Sequence, residues 1–505
     1  MNAAVRFAPG VSLPDRRNFG ELRDWLAQSR HGRRINRRDK SMPGLLAKKV
    51  STRDAKAALA KLHDYSAGEI ARRRIERRAV EAAIWGLPLA STAAMREAFF
   101  RDAGARYNDI VYFSKPADWR FQFTTPNAST YYIYFNFNTA NGPLVLDLPA
   151  AQNAGLFGSF LNAWQEPIVD IGPEGEDHGN GGKYLILPPD DFLGGPAGYI
   201  PVHPGTYNGF ALFHVMPHTS SPGDVAAALD LVKQMSLCPL AQDEVPPMQR
   251  FIDMSGKLFD GIVRFDHSLF DGLAAMIAEE PVRSRDRAVM SQLRSLGIEK
   301  SGSYSPDTEL RDILDASAAE AHAGLVEGLR GGEPFWHGLQ WKRPAEAGPK
   351  TEFTFEDGDA YYVDERGLLC SLAFAPPKMS GAATFSLVGA SDSEGRALHG
   401  EDRYRLNIPV GVPVRQYWSV TVYDCKMAGF VRGAPSISVG SFRNMQRNAD
   451  GSIDIYFGPT APQGKEAQWI YTEPGSRWFC LFRFYGPEQA LFEQTWTLCD
   501  IMEII

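Results

Sequence analysis

The stretch Tyr107–Pro149 reads YNDIVYFSKPADWRFQFTTPNASTYYIYFNFNTANGPLVLDLP. Its run from Tyr131 to Phe137 is almost wholly aromatic or β-branched, the side chains that fit a pleated and largely buried surface. Pro116, Pro126, Asn127, Gly142 and Pro143 punctuate it where a chain of short strands must turn. The stretch therefore predicts successive antiparallel strands. Outward from it, Lys183–Leu187, Ala197–His203 and Gly209–Met216 continue the same character.

The pattern changes near Pro222. Ser221 is placed to cap a helix over Asp224–Met235, and helical spacing continues through Met248–Ile277, Arg283–Leu296 and Asp307–Leu329. Strand patterning returns near Glu352. Cys370–Phe374, Ala383–Leu387, Tyr404–Ile408, Val414–Tyr423, Ser452–Phe457 and Trp478–Tyr485 read as strands, with a tight turn at Asn448-Ala-Asp-Gly451. Upstream, Ala67–Trp85 predicts a helix that Gly86-Leu87-Pro88 bends or ends. Thr52 is a cap candidate for a helix over Arg53–His63, and Phe19–Leu26 could form a short amphipathic one. The expected fold is mainly β with a helical bridge, α+β overall, with two antiparallel β-sandwich or jelly-roll-like domains. Its expected parts are a basic, partly helical extension over 1–65, a β-rich domain over 66–220, the bridge over 221–344 and a second β domain over 345–505.

The 505 residues suffice for at least two large domains, with 44% hydrophobic and 22% charged residues. The net charge of -7 is unevenly spread: residues 1–80 hold 20 Lys or Arg against 8 Asp or Glu. Arg30–Lys40 and Arg72–Arg78 are the two basic clusters. The remainder lacks a matching basic surface, so nucleic acid is not the expected partner and a solvated face or an acidic partner within the chain is. The expectation for the N-terminal segment is that it wraps the core or a partner in a homo-oligomer. Five Cys without a CxxC pair exclude a disulfide framework and a compact thiolate metal site. No membrane-spanning run and no signal peptide is evident, which places the expected protein in the cytoplasm.

No nucleotide loop, zinc signature or nucleophile elbow is present. The glycines of 172–182 lack the strand–turn–helix order of a phosphate loop and read as a mobile surface loop. Three constellations remain. Asp147, Glu166 and Asp170 are the candidate catalytic acids, because two carboxylates can divide general acid and base work when burial raises one of them. Tyr131, Tyr134 and Trp164 would hold a sugar or another ring beside them. His203, His214 and His218 are the candidate ligands for zinc or another divalent metal, with Asp170, Asp177 or His178 completing the set; no cofactor is otherwise implied. Arg415 with Tyr417, and Arg483 with Tyr485, are two-residue spacings that share a strand face. They could bind a carboxylate, a sulfate or a sugar, with Asp424 and Trp496 nearby, or form a structural network.

Arg77-Ala79-Val80, Gly86-Leu87-Pro88, Tyr107-Asn108, Thr125-Pro126-Asn127, Tyr131, Gly142-Pro143 and Gly181–Leu185 occur in an order that resembles a bacterial family module, domain of unknown function 1254. In the helical middle, Pro281, Asp286, Leu293, Leu296-Gly297-Ile298 and Gly302 extend the resemblance. Tyr417–Tyr423, Asn448–Ser452, Phe484–Pro487 and Trp496 resemble its partner, domain of unknown function 1214. The resemblance covers residue 70 to the C terminus and implies two β-sandwich-like modules with helical additions. It implies no secure reaction; its carbohydrate-like architecture makes glycan binding or processing the analogy. The chain departs from the pattern at Ala128, where an acid often follows Pro-Asn, and at Gln468-Trp-Ile-Tyr471, where Asn-Trp-Leu-Pro is usual. The expected function is hydrolysis of a glycan or related small polar substrate. The alternative is a noncatalytic protein that binds a carbohydrate or other small molecule, or a scaffold.

Overall fold

Ser66 opens the first helix through a reciprocal cap. Its hydroxyl accepts the Glu69 amide at 3.2 Å, and the Glu69 carboxylate accepts the Ser66 amide at 2.8 Å. In the computed structural model the described residues are 65–152, 154–191, 195–219, 221–344, 353–376, 378 and 384–504. The expectations for Phe19–Leu26, Arg30–Lys40, Thr52 and Arg53–His63 fall outside them. Ser66–Ile505 form one compact unit.

Helix α1, Ala67–Asp102, continues past Pro88 instead of ending there. Tertiary contacts override the local signal. Arg366 donates to the Trp85 carbonyl and Gln165 Nε2 to the Pro88 carbonyl, tying this turn laterally. Gly86 lets Leu273 pack against the helix, since a Cβ there would lie 2.6 Å from a Leu273 methyl. The second basic cluster, Arg72–Arg78, lies on the largely exposed first turns of α1.

The strands that follow are β1 (Ile110–Tyr112), β2 (Phe121–Gln122), β3 (Tyr131–Asn138), β4 (Leu144–Leu148), β5 (Ala154–Asn162), β6 (Pro167–Ile171), β7 (Gly182–Ile186), β8 (Ile200–Val202) and β9 (Asn208–Pro217). Helix α2 (Pro222–Val232) begins at the Ser221 cap, as its sequence predicts. Next come β10 (Ser236–Pro239), β11 (Phe251–Asp253), β12 (Phe259–Asp260) and helices α3 (His267–Glu279), α4 (Arg287–Leu293), α5 (Thr308–Gly328) and α6 (Val363–Leu372). The last part holds β13 (Thr384–Gly389), β14 (Tyr404–Ile408), β15 (Val414–Asp424), β16 (Ser438–Gly440), β17 (Ile453–Gly458), β18 (Trp469–Tyr471), β19 (Trp478–Pro487), α7 (Gln489–Phe492) and β20 (Ile501–Glu503).

The fold is mainly β, with several largely antiparallel sheets in sandwich-like layers. The first half pairs a sheet ordered β11-β1-β3-β9-β5-β6 with one ordered β10-β4-β7-β8. Between them Ile133, Phe135 and Phe137 of β3 meet Leu144, Leu146 and Tyr184 in one apolar core. The second half pairs β13-β19-β15-β16 with β18-β17-β14-β20. Its core joins Trp418, Phe482 and Phe484 to Leu406, Ile455 and Phe457. Alternation along β3 sends Tyr132 and Tyr134 to the opposite face. There they share a third core with Phe374, Tyr423, Phe479 and Leu481 from the second half. The six-stranded sheet is thus buried on both faces, and one of them closes on the second sandwich.

Two local expectations are corrected. Met248–Ile277 is not one helix: β11 adds to β1 and β12 to β2, both in parallel, and helix begins only at His267. Gly256, at φ 74°, turns the chain between those strands. Cys370–Phe374 is not a strand. It ends α6, whose Arg366, Leu369 and Cys370 are buried at helical spacing, while Asp364 and Glu365 lie in the first turn where the helix dipole favours them.

Candidate functional site

The three candidate acids lie in three different environments. Asp147 is exposed on β4, opposite Lys183 and Ser236. Asp170 lies on β6, where it accepts from the Ser159 hydroxyl at 2.7 Å and the Lys378 amide at 3.0 Å. Glu166 is buried. Arg283 and Arg285 each reach its Oε1 at 2.7 Å, and Asn162 reaches Oε2 at 2.7 Å. Burial alone would raise its pKa, but the two guanidiniums win and hold it at about 2. A group so far below neutrality cannot serve as a general acid there. Of the candidate ring holders, Tyr134 is stacked on Phe99 at 4.0 Å and Trp164 is packed edge-on against Trp85 at 4.9 Å, both inside the protein. Tyr131 packs partly buried against the first sandwich core.

The histidines do not form a ligand set among the described residues. His203 and His218 are exposed in the segments after β8 and β9. His214 points to the buried face of β9, between Tyr132 and Phe157 on its neighbouring strands. Asp177 is committed to its own loop, taking the Gly172 amide at 2.7 Å and the Gly181 amide at 3.0 Å, so the glycine-rich segment is wound around that carboxylate. The described group close enough for a metal is Asp266, His267 and Asp315. It already serves the start of α3: Asp266 caps Ser268, and Asp315 accepts from both the His267 amide and ring.

The Arg/Tyr constellation divides. Arg415 leaves it, because the register shifts between Val414 and Tyr417 and the bulge puts Arg415 in solvent while Tyr417 is buried. Arg483 and Tyr485 stay together on the face of β19 that meets the first half of the chain. Register sets Ser386 and Ser419 on either side of Arg483, and Thr384 and Tyr417 on either side of Tyr485. Tyr485 stacks on Tyr417 at 4.0 Å. Asp424 is half-buried at the end of β15, and Trp496 packs on the second sandwich.

The Thr125–Asn127 turn closes over this face. Arg483 Nη2 donates to the Thr125 carbonyl at 2.9 Å and Nη1 to the Tyr423 hydroxyl at 2.6 Å. The Tyr423 hydroxyl donates to the Pro126 carbonyl at 2.7 Å. Asn127 donates from its amide to Tyr132 and from its side chain to Tyr485, both at 2.5 Å. Thr125 holds φ 44°, a strained conformation for a β-branched residue. Its amide is bound by the Ala428 carbonyl at 2.7 Å and its hydroxyl by the Leu372 carbonyl at 2.5 Å, so its own carbonyl is aimed at Arg483. Beside it, the Thr130 hydroxyl lies 2.7 Å from His214 Nδ1.

Arg483 makes no salt bridge among the described residues. Its exposure is 8%. Burial pulls its pKa down, yet the oxygens of Tyr423, Tyr485 and Tyr132 push it higher still, so it stays a cation. Burial and then the Arg483 charge draw His214 down to about 3, which keeps that ring neutral and makes it a weak base. Burial pushes Tyr423 up to about 12 against the pull of Arg483. The buried Ser419 hydroxyl, next to Arg483, has no protein partner. The result is an enclosed, cationic, hydroxyl-rich cluster. His214, Ser129, Thr384 and Ser386 retain part of their surface at its margin.

Cys370 and Cys425 are both held as thiols, pushed up to about 12 by burial. They line a cavity of about 30 Å³ with Leu87, Ile262 and His322, which does not include Arg483.

Two family models match, each described as a protein of unknown function: 1254 over residues 107–239 and 1214 over residues 383–489. The chain carries both modules in that order. The Thr125–Thr130 turn, Tyr132 and His214 come from the first; Tyr417, Ser419, Tyr423, Arg483 and Tyr485 come from the second. The cluster is therefore built where the two modules meet. Among solved structures, the VPA0106 protein of Vibrio parahaemolyticus is similar at 15% identity and TM-score 0.52, over 85% of this chain and 100% of that one. An uncharacterized protein of Burkholderia cenocepacia aligns at 12% identity and TM-score 0.40, over 89% of this chain and 96% of that one. No curated protein matches.

Sequence reading paired Arg483 with Tyr485 because they are two apart on one strand. It missed Thr125, Asn127, Tyr132, Tyr423 and Ser419 as members of the same group. Asn127 and Tyr485 are 358 positions apart, and no local spacing reports such a contact.

Proposed function

We propose that the protein binds a small polar molecule carrying an anionic group, such as a carboxylate or sulfate, at the Arg483 cluster where its two modules meet. The observation that carries this reading is Arg483: a buried cation that, among the described residues, has no carboxylate in ion-pair reach and is answered by a tyrosine hydroxyl and a backbone carbonyl. Burying a charge without a counter-ion is costly, and a bidentate anion is the natural complement of a guanidinium. The Ser419 hydroxyl would add a donor, and the Tyr485–Tyr417 stack would offer a flat wall to a sugar or other ring. This is the binding alternative rather than the hydrolytic one. Hydrolysis by Asp147, Glu166 and Asp170 has less support, because Glu166 is neutralised by arginines and Asp147 is in solvent. His214 at about 3 is likewise a poor proton acceptor for the Thr130 hydroxyl.

A panel of glucuronate, glucose, benzoate and sulfate, read by thermal shift, tests the reading. An acidic member should raise the melting temperature saturably while glucose does not. Arg483→Met, which replaces a buried cation by an apolar chain, should fold yet lose the response. A response to glucose equal to that of glucuronate, or an unchanged response in the variant, contradicts the proposal; so does silence across the whole panel.

A further inference from the structure

The segment that closes over Arg483 crosses from one module to the other. Residues 123–130 join β2 to β3 of the first module, yet Thr125–Asn127 are fastened to side chains of the second. Arg483 is 8% exposed, and both of its bonds go to neutral oxygens: Nη2 to the Thr125 carbonyl at 2.9 Å and Nη1 to the Tyr423 hydroxyl at 2.6 Å. The Thr125 oxygen therefore stands where an oxygen of a carboxylate or sulfate would stand on this guanidinium. It satisfies a donor but leaves the buried charge without a counter-ion. Two neighbouring hydroxyls hold the same segment. Tyr423 donates to the Pro126 carbonyl at 2.7 Å, and the Asn127 side chain donates to Tyr485 at 2.5 Å.

Thr125 is strained on two counts. Its φ of 44° is unfavourable for a β-branched side chain, and it precedes Pro126, which biases the residue before it toward extended backbone. Such a conformation persists only while its surroundings over-determine it. Here the Ala428 carbonyl holds its amide at 2.7 Å, the Leu372 carbonyl holds its hydroxyl at 2.5 Å, and Arg483 holds its carbonyl. Without the third hold, two bonds alone stand against the strain. Past Asn127 the segment faces solvent, since Ala128 and Ser129 keep part of their surface. We propose that Thr125–Asn127 is an autoinhibitory strap: it occupies Arg483 in the ligand-free protein, and an anion that takes Nη2 displaces it. This rests on the anion-binding reading of Arg483 and adds the regulation of that site. A charged acceptor binds a guanidinium more strongly than a neutral carbonyl does, and release of the Thr125 strain favours the exchange. The anion then takes the space that the strap vacates.

Glucuronate is the probe, and amide hydrogen exchange of the full-length protein, read by mass spectrometry, is the measurement. A bound ligand ordinarily slows exchange at its site. In the strap, the Thr125 amide is bonded to the Ala428 carbonyl, the Asn127 amide to the Tyr132 hydroxyl and the Ser129 amide to the Asn127 side chain. Saturating glucuronate should therefore speed exchange in peptides covering 123–130 several-fold. Asn127→Ala deletes the bond to Tyr485 and loosens the strap, so calorimetric titration should show glucuronate binding tightened at least about threefold, the worth of one modest hydrogen bond. Binding seen in the variant alone would support the strap more strongly still. Unchanged or slowed exchange across 123–130 with glucuronate bound, or equal or weaker binding by the variant, would overturn the strap. Such a result leaves the Arg483 reading standing where Arg483→Met abolishes wild-type binding. Silence from both wild type and variant overturns the two together. The wild-type exchange decides the matter even if the variant fails to fold.

Discussion

At the scale of single residues, the decisive property is whether a buried charge has a partner. Glu166 has two arginines and is a paired anion; Arg483 has no carboxylate partner among the described residues, which is what supports the binding proposal. The two consequences are separable. The folded pKa of Glu166, about 2, lies below its ordinary 4.5. Its ion pairs therefore contribute fully above pH 4.5 and are lost as pH falls through about 2. Glu166→Gln should cost about 3 kcal/mol at neutral pH, because it strands two guanidiniums. Urea midpoints should show that gap closing as pH falls from 4.5 toward 2; a gap independent of pH over that range would contradict the assignment. The identity of Glu166 as a residue of interest was legible in the sequence, but its role was not. Arg283 and Arg285 lie more than a hundred positions away, and spacing gave no sign that they would meet it.

At the scale of elements, most strands announced themselves through aromatic and β-branched runs, and α2 through its serine cap. The departures have particular causes. Pro88 failed to end α1 because side chains from Gln165 and Arg366 hold the adjoining turns. Arg415 left the Tyr417 face because one bulge shifts the register. Two-residue periodicity assumes an unbroken ladder, and a bulge violates it without changing composition. The strand β5, which backs His214 through Phe157, depends on a glycine in the same way. Gly158 sits at φ 149°, and a Cβ there would fall 2.4 Å from the Leu212 carbonyl oxygen and 2.6 Å from Phe213 Cα. Backbone cannot yield as a flexible side chain can. Gly158→Ala should destabilise the protein by about 3 kcal/mol, read as a lower urea midpoint. A change below about 0.5 kcal/mol, the range of ordinary surface substitutions, would show that β5 is not held as described.

At the scale of the whole molecule, the class of fold was readable, because turn punctuation and strand runs recur on both sides of a helical stretch. The joining of the halves was not. The bridge supplies strands β10, β11 and β12 to the first module, and a shared core of Tyr132, Phe374, Tyr423 and Leu481 seals one module onto the other. A chain joined in this way should unfold from residue 66 onward in a single calorimetric transition. Two transitions, with Tyr423→Phe moving only one, would mean that the modules are energetically independent. The same junction creates the Arg483 cluster, since neither module alone holds Arg483 opposite the Thr125 carbonyl. The central claim is that this cluster recognises an anion through Arg483. Calorimetric titration of glucuronate into the wild-type protein and into Arg483→Met tests it most directly. The account predicts saturable binding that weakens at least about tenfold in the variant, the equivalent of ~1.4 kcal/mol, with the variant still folded; equal affinity in the two proteins would contradict it.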